Sequence, residues 1–489
     1  MARWQHPIAI DPDAAMPVFL QIARAIAEDV RRGRLRRGDA VPASRALADE
    51  IGVHRNTVLA AYRELTAEGW LQARAGSGTF ISSELPDATP RAFAPRATSR
   101  DRLGFEVEVV AAKEAPNPPR GTLVLASGSP DARLVPTDML ARAYRRALRL
   151  SGPTLLSYGD PRGALRLREA LAAMLSHLRG LPADASSFLV TRGSQGAIDL
   201  VARALLKPGD VVAVESLGYR PAWGAFEAAG AKLVAVPLDE HGIRVDAIPK
   251  GIRAVYVTPH HQFPTTVTLS PGRRIALLDR ARVERFAIIE DDYDFEFHYR
   301  GRPVLPLASA DRAGVVVHIG TLSKILAPGL RIGFVVAPTP LLDKLAAIRT
   351  LVDRQGDHAI EHAVAELLED SEVQRHVRRV KKLYRERRDV LVDALHEQLS
   401  GVVSVEPPAG GMALWVGVDP AVNVDEWATR ALAAGVAFQP ARGFAFDGRS
   451  RPFARVGFAA LDPRELREAV KRMASALKPS PSPKRSRSA

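Results

Sequence analysis

The chain contains no cysteine. That absence excludes disulfides, thiolate nucleophiles and cysteine-ligated zinc or iron–sulfur centres. Long apolar runs are missing too. The opening MARWQHPIAIDPDAAM is broken by acids and does not read as a secretory leader. No stretch approaches the roughly 20 apolar residues that span a bilayer, so a cytoplasmic protein without a membrane partner is expected. What remains is a globular composition, 46% hydrophobic and 25% charged over 489 residues. That length calls for two or three domains.

The net charge of +13 points less clearly than its size implies. Residues 1–83 contribute only +2, residues 84–120 nothing, residues 121–477 +7 and residues 478–489 +4. The excess is spread over the chain and does not by itself mark a nucleic-acid surface.

Local patterns divide the sequence. In PVFLQIARAIAEDVRR (17–32), Val18, Ile22, Ile26 and Val30 recur every four residues, which predicts one buried helix face stopped at Gly33. Next, Ser44 is expected to cap a short helix with Leu47 and Ile51 inward. Gly52 permits a tight turn. A further helix turns Val58, Tyr62 and Leu65 to one side. Two short helices joined at a glycine form a helix-turn-helix, and LQARAGSGTFIS reads as a strand–turn–strand wing. Such a domain, assigned to 10–83, presents its second helix to the DNA major groove. The candidate contacts are His54, Arg55, Asn56 and Thr57 in its first turn, Arg45 on the preceding helix, and Gly76 and Ser77 at the wing tip. Residues 84–120, rich in proline and alanine, read as a linker, and 478–489 as a disordered basic tail.

From 121 to 477, β-rich runs (VVAVES, KLVAVPL, AVYVTP, FAIIED, VVVHIG) alternate with helical segments. This is an α/β pattern with a mainly parallel sheet, in which ligands bind beyond the carboxyl ends of the strands. Those ends carry Ser194 and Gln195 after SFLVTRG, Tyr219 after VVAVESLG, and His260, His261 and Gln262 after AVYVTP. They also carry Asp291, Asp292 and Tyr293 after FAIIE, and Thr321, Ser323 and Lys324 after VVVHIG. Alone, each has an ordinary explanation. The two adjacent histidines, for instance, lack a third ligand, and no metal is expected. Together they meet the needs of pyridoxal 5′-phosphate. Lys324 can form the Schiff base, and Asp291 or its neighbour can hold the pyridine nitrogen protonated. Ser194, Gln195, Ser323 and Arg331 can bind phosphate. Tyr219 can stack on the ring, and Tyr293 with His261 or Gln262 can reach the ring hydroxyl.

The motif IGTLSKILAPGLRIGF resembles the lysine motif of fold-type I aminotransferases. TPHHQFPT, IIEDDYDFEF and SYGDPRGALRLREAL resemble the MocR regulators, and residues 17–82 the winged helix-turn-helix of the GntR superfamily, to which MocR proteins belong. The resemblance implies Lys324 as the covalent attachment point and Asp291 as the pyridinium partner. Arg455, in ARVGFA, would grip an effector carboxylate. It further implies a homodimer paired head-to-tail. Two positions depart from the family. Thr266 stands where glycine is usual, and would be strained if the turn needs positive φ. His54 replaces the serine that usually starts the recognition helix.

The function expected from this reading is a regulator that binds promoter DNA. Its large domain would sense pyridoxal phosphate, or an adduct of it with a small amino acid or amine. The alternative is a working aminotransferase with an accessory winged helix. DNA binding discriminates the first, turnover with a keto acid the second.

Overall fold

The computed structural model describes residues 8–11, 14, 16–74, 76–86, 118–126 and 128–477. It divides into two compact units, Met1–Glu114 and Ala115–Ala489. Most of the expected linker, and the whole expected tail, lie outside the described residues.

In the first unit, helices Val18–Arg31, Ser44–Ile51 and Arg55–Ala67 precede an antiparallel hairpin of Leu71–Arg74 and Gly78–Ile81. The four-residue repeat does what its spacing implies. Ile22 and Ile26 are wholly buried, and they meet Leu47, Val58 and Leu65 in one apolar core. Gly52 closes the middle helix in the left-handed region at φ 70°, which only glycine adopts without cost. Ser44 is not the cap expected of it. Ala43 occupies the N-cap, Ser44 is the first helical residue, and its hydroxyl lies 3.4 Å from the Arg55 Nε donor.

The second unit is built on a seven-stranded sheet. Its order is Phe188–Arg192, Ile332–Val336, Val316–Thr321, Ala287–Asp292, Ala254–Val257, Val211–Glu215, Lys232–Val236. All pairings are parallel except those of Ile332–Val336, which runs against both neighbours. Four of these strands (at 254, 287, 316 and 332) are almost completely buried on both faces, so their sequences do not alternate apolar with exposed polar residues. Helices Gly193–Leu205 and Arg220–Ala228 cover one face, where Ile198, Val201 and Phe226 pack on Val214, Tyr256 and Ile289. Helix Pro271–Glu284 covers the other through Leu277 and Ala281, against Val255 and Ile288. A second, antiparallel sheet (Val403–Ser404, Ala413–Val418, Phe453–Gly457, Gln439–Pro440) carries Arg455. No helix among the described residues is long and apolar enough to cross a membrane.

Candidate functional site

Parallel strands send their carboxyl ends to one edge of a sheet, and most of the strand-end residues named above converge there. Lys324, Asp291, Tyr293, Tyr219, Ser194, Gln195, Ser323, Arg331 and Arg455 all line one cavity of about 170 Å³. Gly128, Thr258, Phe263, Thr321 and Pro328 complete its wall.

Strand alternation separates the two adjacent aspartates. Asp291 faces the cavity and accepts a 2.7 Å hydrogen bond from the Tyr256 hydroxyl through Oδ2, while its Oδ1 is buried without a partner. Burial raises its pKa to about 6, opposed by the Tyr256 bond. Asp292 points the other way, into a buried ion pair with Arg179 at 2.7 Å. Tyr293 adds a buried hydroxyl without a hydrogen-bond partner. Tyr219 stands edge-on to Phe263, ring centroids 5.7 Å apart.

Lys324 sits in the turn after strand Val316–Thr321, where Ser323 N–H donates to Thr321 Oγ1 at 3.1 Å. Burial lowers the Lys324 pKa, and the Arg455 charge lowers it further, against the opposing pull of Asp294 and Asp291. More of its Nζ is therefore neutral, and nucleophilic, than in water.

Beside it opens the N-terminus of helix Gly193–Leu205. The cap residue, Arg192, makes no side-chain capping bond, so the first-turn N–H groups are left for an anion. Ser194 and Gln195 lie in that turn. Gln195 Nε2 donates to Pro221 O at 2.9 Å, while Oε1 is buried and unpartnered. Arg331 packs over the turn, with Nη2 donating to Arg192 O at 3.0 Å. Gly193 permits this. Its φ is +69°, and a Cβ there would lie 2.9 Å from Arg331 Nη2. Two serines, an arginine and a helix terminus thus form a cup for a phosphate-sized anion.

Arg455 closes the opposite side. It is 2% exposed, stacks 4.5 Å above the Phe263 ring centroid and donates from Nη1 to Pro264 O at 3.1 Å. Its Nε is buried without a partner, and among the described residues no carboxylate lies within ion-pair distance. A buried guanidinium without a counter-ion favours an anionic ligand.

His261 does not line the cavity. Its Nδ1 lies 2.7 Å from Asp294 Oδ1, and the ring packs against His260 and His298. Strand register, which a single sequence does not display, is why Tyr256 went unread as the partner of Asp291. Gly128 escaped for a related reason. Its only sequence signal is a lone glycine, yet a Cβ there would approach Arg455 Nη2 to 2.9 Å.

In the first unit, Arg45, His54, Arg55 and Asn56 are exposed and Thr57 half-buried. His54 is the N-cap and not a residue of the first turn, and its Nδ1 accepts from Asn56 N–H at 3.2 Å. Gly76 and Ser77 are exposed at the hairpin turn.

The sequence model of the family "Aminotransferase class I and II" matches residues 121–473, and that of "Bacterial regulatory proteins, gntR family" matches 19–81. The probable rhizopine catabolism regulatory protein MocR of Rhizobium meliloti is 31% identical, over 96% of this chain and 96% of its own. The HTH-type transcriptional regulator TauR of Rhodobacter capsulatus is 32% identical, over 94% of this chain and 96% of its own. Among solved structures, the Pyrococcus horikoshii kynurenine aminotransferase in complex with PMP superposes with a TM-score of 0.68. It is 30% identical and covers 73% of this chain and 91% of its own. A GntR-type head and a fold-type I aminotransferase domain in one chain, matched end to end by named regulators, make this protein a member of the MocR-type regulators of the GntR superfamily.

Proposed function

We propose that the protein is a promoter-binding regulator whose large unit senses pyridoxal 5′-phosphate, or its adduct with a small amino acid or amine. The observation that carries this reading is the set of polar atoms in the cavity left without partners: Asp291 Oδ1, Tyr293 hydroxyl, Gln195 Oε1 and Arg455 Nε. Buried polar groups are normally paired. Here the residues that bear the orphans line one cavity, beside a helix N-terminus and a lysine of lowered pKa.

Bound there, the cofactor supplies an aldehyde that captures primary amines and a protonated ring that withdraws electrons. Lys324 Nζ would hold it covalently. Asp291 would keep the ring nitrogen protonated, which also supplies the counter-charge that the buried carboxylate lacks. Tyr219 would stack on the ring and Tyr293 would meet its hydroxyl. Ser194, Gln195, Ser323 and Arg331 would hold the phosphate, and Arg455 the carboxylate of an amino-acid effector. At the other unit, the Arg55–Asn56 turn would read base edges, Arg45 and Ser77 would contact the backbone, and the Gly76 turn would allow close approach. We further propose a cytoplasmic homodimer. Leu150, Leu156, Tyr158 and Leu351 are all more than 70% exposed, large apolar side chains that a second copy would cover.

The reading is tested by titrating the cofactor-free chain with pyridoxal phosphate and following absorption, with Lys324→Ala alongside. A lysine-dependent band, shifted stably by one amine, supports it. No band, or the same band in the variant, overturns it. A second reading, turnover as an aminotransferase, is favoured by the joint presence of Lys324, Asp291 and Arg455 around one cavity. It requires conversion of the cofactor to its amino form and recovery with a keto acid.

A further inference from the structure

Behind the cofactor cavity lies a second cluster of chemically competent groups that the reading above leaves unused. His260 and His261 follow strand Ala254–Val257, and His298 arrives from much later in the chain, paired in an isolated bridge with Gly410. All three are buried, and one nitrogen from each lies within 4.8 Å of the others. The ring centroids of His260 and His261 are 4.1 Å apart, and the His261 and His298 rings are stacked 6.0 Å apart at 11°.

Four of their six ring nitrogens are unsatisfied. Both ring nitrogens of His260, Nε2 of His261 and Nδ1 of His298 are buried without a hydrogen-bond partner. Such groups are uncommon in folded proteins and cost free energy unless something meets them. His261 also has the arrangement typical of a metal-binding imidazole. Its Nδ1 lies 2.7 Å from Asp294 Oδ1. A carboxylate accepts, so Nδ1 carries the proton and Nε2 presents a lone pair. Gly410 keeps that lone pair clear, since a Cβ there would fall 2.3 Å from Nε2.

We propose that His260, His261 and His298 bind one divalent transition-metal ion of the zinc, cobalt or nickel class, with Asp294 orienting His261. Three imidazoles suit these borderline ions and not magnesium or calcium, which take oxygen ligands. A tetrahedral ion with bonds of about 2.0–2.1 Å sets its nitrogens roughly 3.4 Å apart, so the rings draw closer on binding. Of the two buried arginines nearby, Arg179 pairs with both Asp292 and Glu296, whereas Arg274 forms no ion pair among the described residues and opposes the ion. None of the three histidines lines the cofactor cavity, so metal binding can be tested with the cofactor absent.

The test uses the full chain without an affinity tag, freed of metal by chelation and kept free of pyridoxal phosphate. Cobalt(II) is titrated while the visible spectrum and the melting temperature are followed. The expected result is one equivalent per chain, intense tetrahedral d–d bands and a raised melting temperature. His260→Gln and His298→Gln should each weaken binding more than about ten-fold, and Asp294→Asn by about ten- to a hundred-fold. His241→Gln, at an exposed position, should change nothing. Substoichiometric binding, weak octahedral bands, or full binding retained in both ligand variants overturns the proposal. Where a variant fails to fold, the wild-type spectrum decides alone.

Discussion

On the proposed reading, Asp291 would be held for a ligand at the expense of the empty fold. Its pKa, raised by burial to about 6, means that the folded chain binds a proton more readily than the unfolded one between about pH 4 and pH 6. Stability from this group is therefore present at low pH and is lost as pH rises through that window. A carboxyl that gives up its proton about two pH units late destabilises the fold by roughly 3 kcal/mol once it is fully ionised. Asp291→Asn should accordingly stabilise the cofactor-free chain at pH 8 by about 2 kcal/mol, change little at pH 4, and sharply weaken pyridoxal phosphate binding. Denaturant melts at both pH values check the first two outcomes, and a cofactor titration the third. Thr266 shows a cost of another kind. Its φ is +65°, so the turn does need the left-handed conformation that would strain a threonine. A β-branched residue in the left-handed region is strained by about 1–2 kcal/mol. Thr266→Asn, which tolerates that conformation, should raise the unfolding free energy by about 1 kcal/mol. That Lys324 and one of the two aspartates, Asp291 or Asp292, meet at one cavity was legible in the sequence because both sit at the carboxyl end of a recognisable strand run; which aspartate faces the cavity was not. Tyr256 and His298 were not, because only strand register and a distant chain return bring them to their partners.

At the scale of elements, the helix termini set the two candidate binding surfaces. The N-terminus of Gly193–Leu205 is left uncapped, and Gly193 lets Arg331 lie across it. Gly193→Ala would place a Cβ against that guanidinium in a conformation that L-residues resist. Pyridoxal phosphate affinity should fall by about ten-fold or more, with the fold retained by circular dichroism. The recognition helix ends the opposite way, with a cap supplied by an unexpected residue. His54 Nδ1 takes the serine's role at 3.2 Å. His54→Ala should cost about 1 kcal/mol of head stability, whereas His54→Ser should cost little. Arg55→Ala should lose about 1–3 kcal/mol at one base position of the selected DNA site, read by competition binding. The helices and parallel strands were readable from spacing and apolar runs. The reversed strand Ile332–Val336 was not, because orientation depends on the path of the chain and not on the composition of the strand.

In the whole molecule, on the proposed reading, a ligand taken up by the large unit would alter what the head does on DNA. That requires the ligand to favour one state of the protein over another. The most direct measurement is the affinity of the full chain for the DNA sequence it selects from a random library, with and without pyridoxal phosphate, at fixed salt. Wild type and Lys324→Ala are compared. The account predicts that the cofactor changes the affinity or footprint of the wild type and leaves the variant unaffected. Identical affinity and footprint in all four conditions would contradict it.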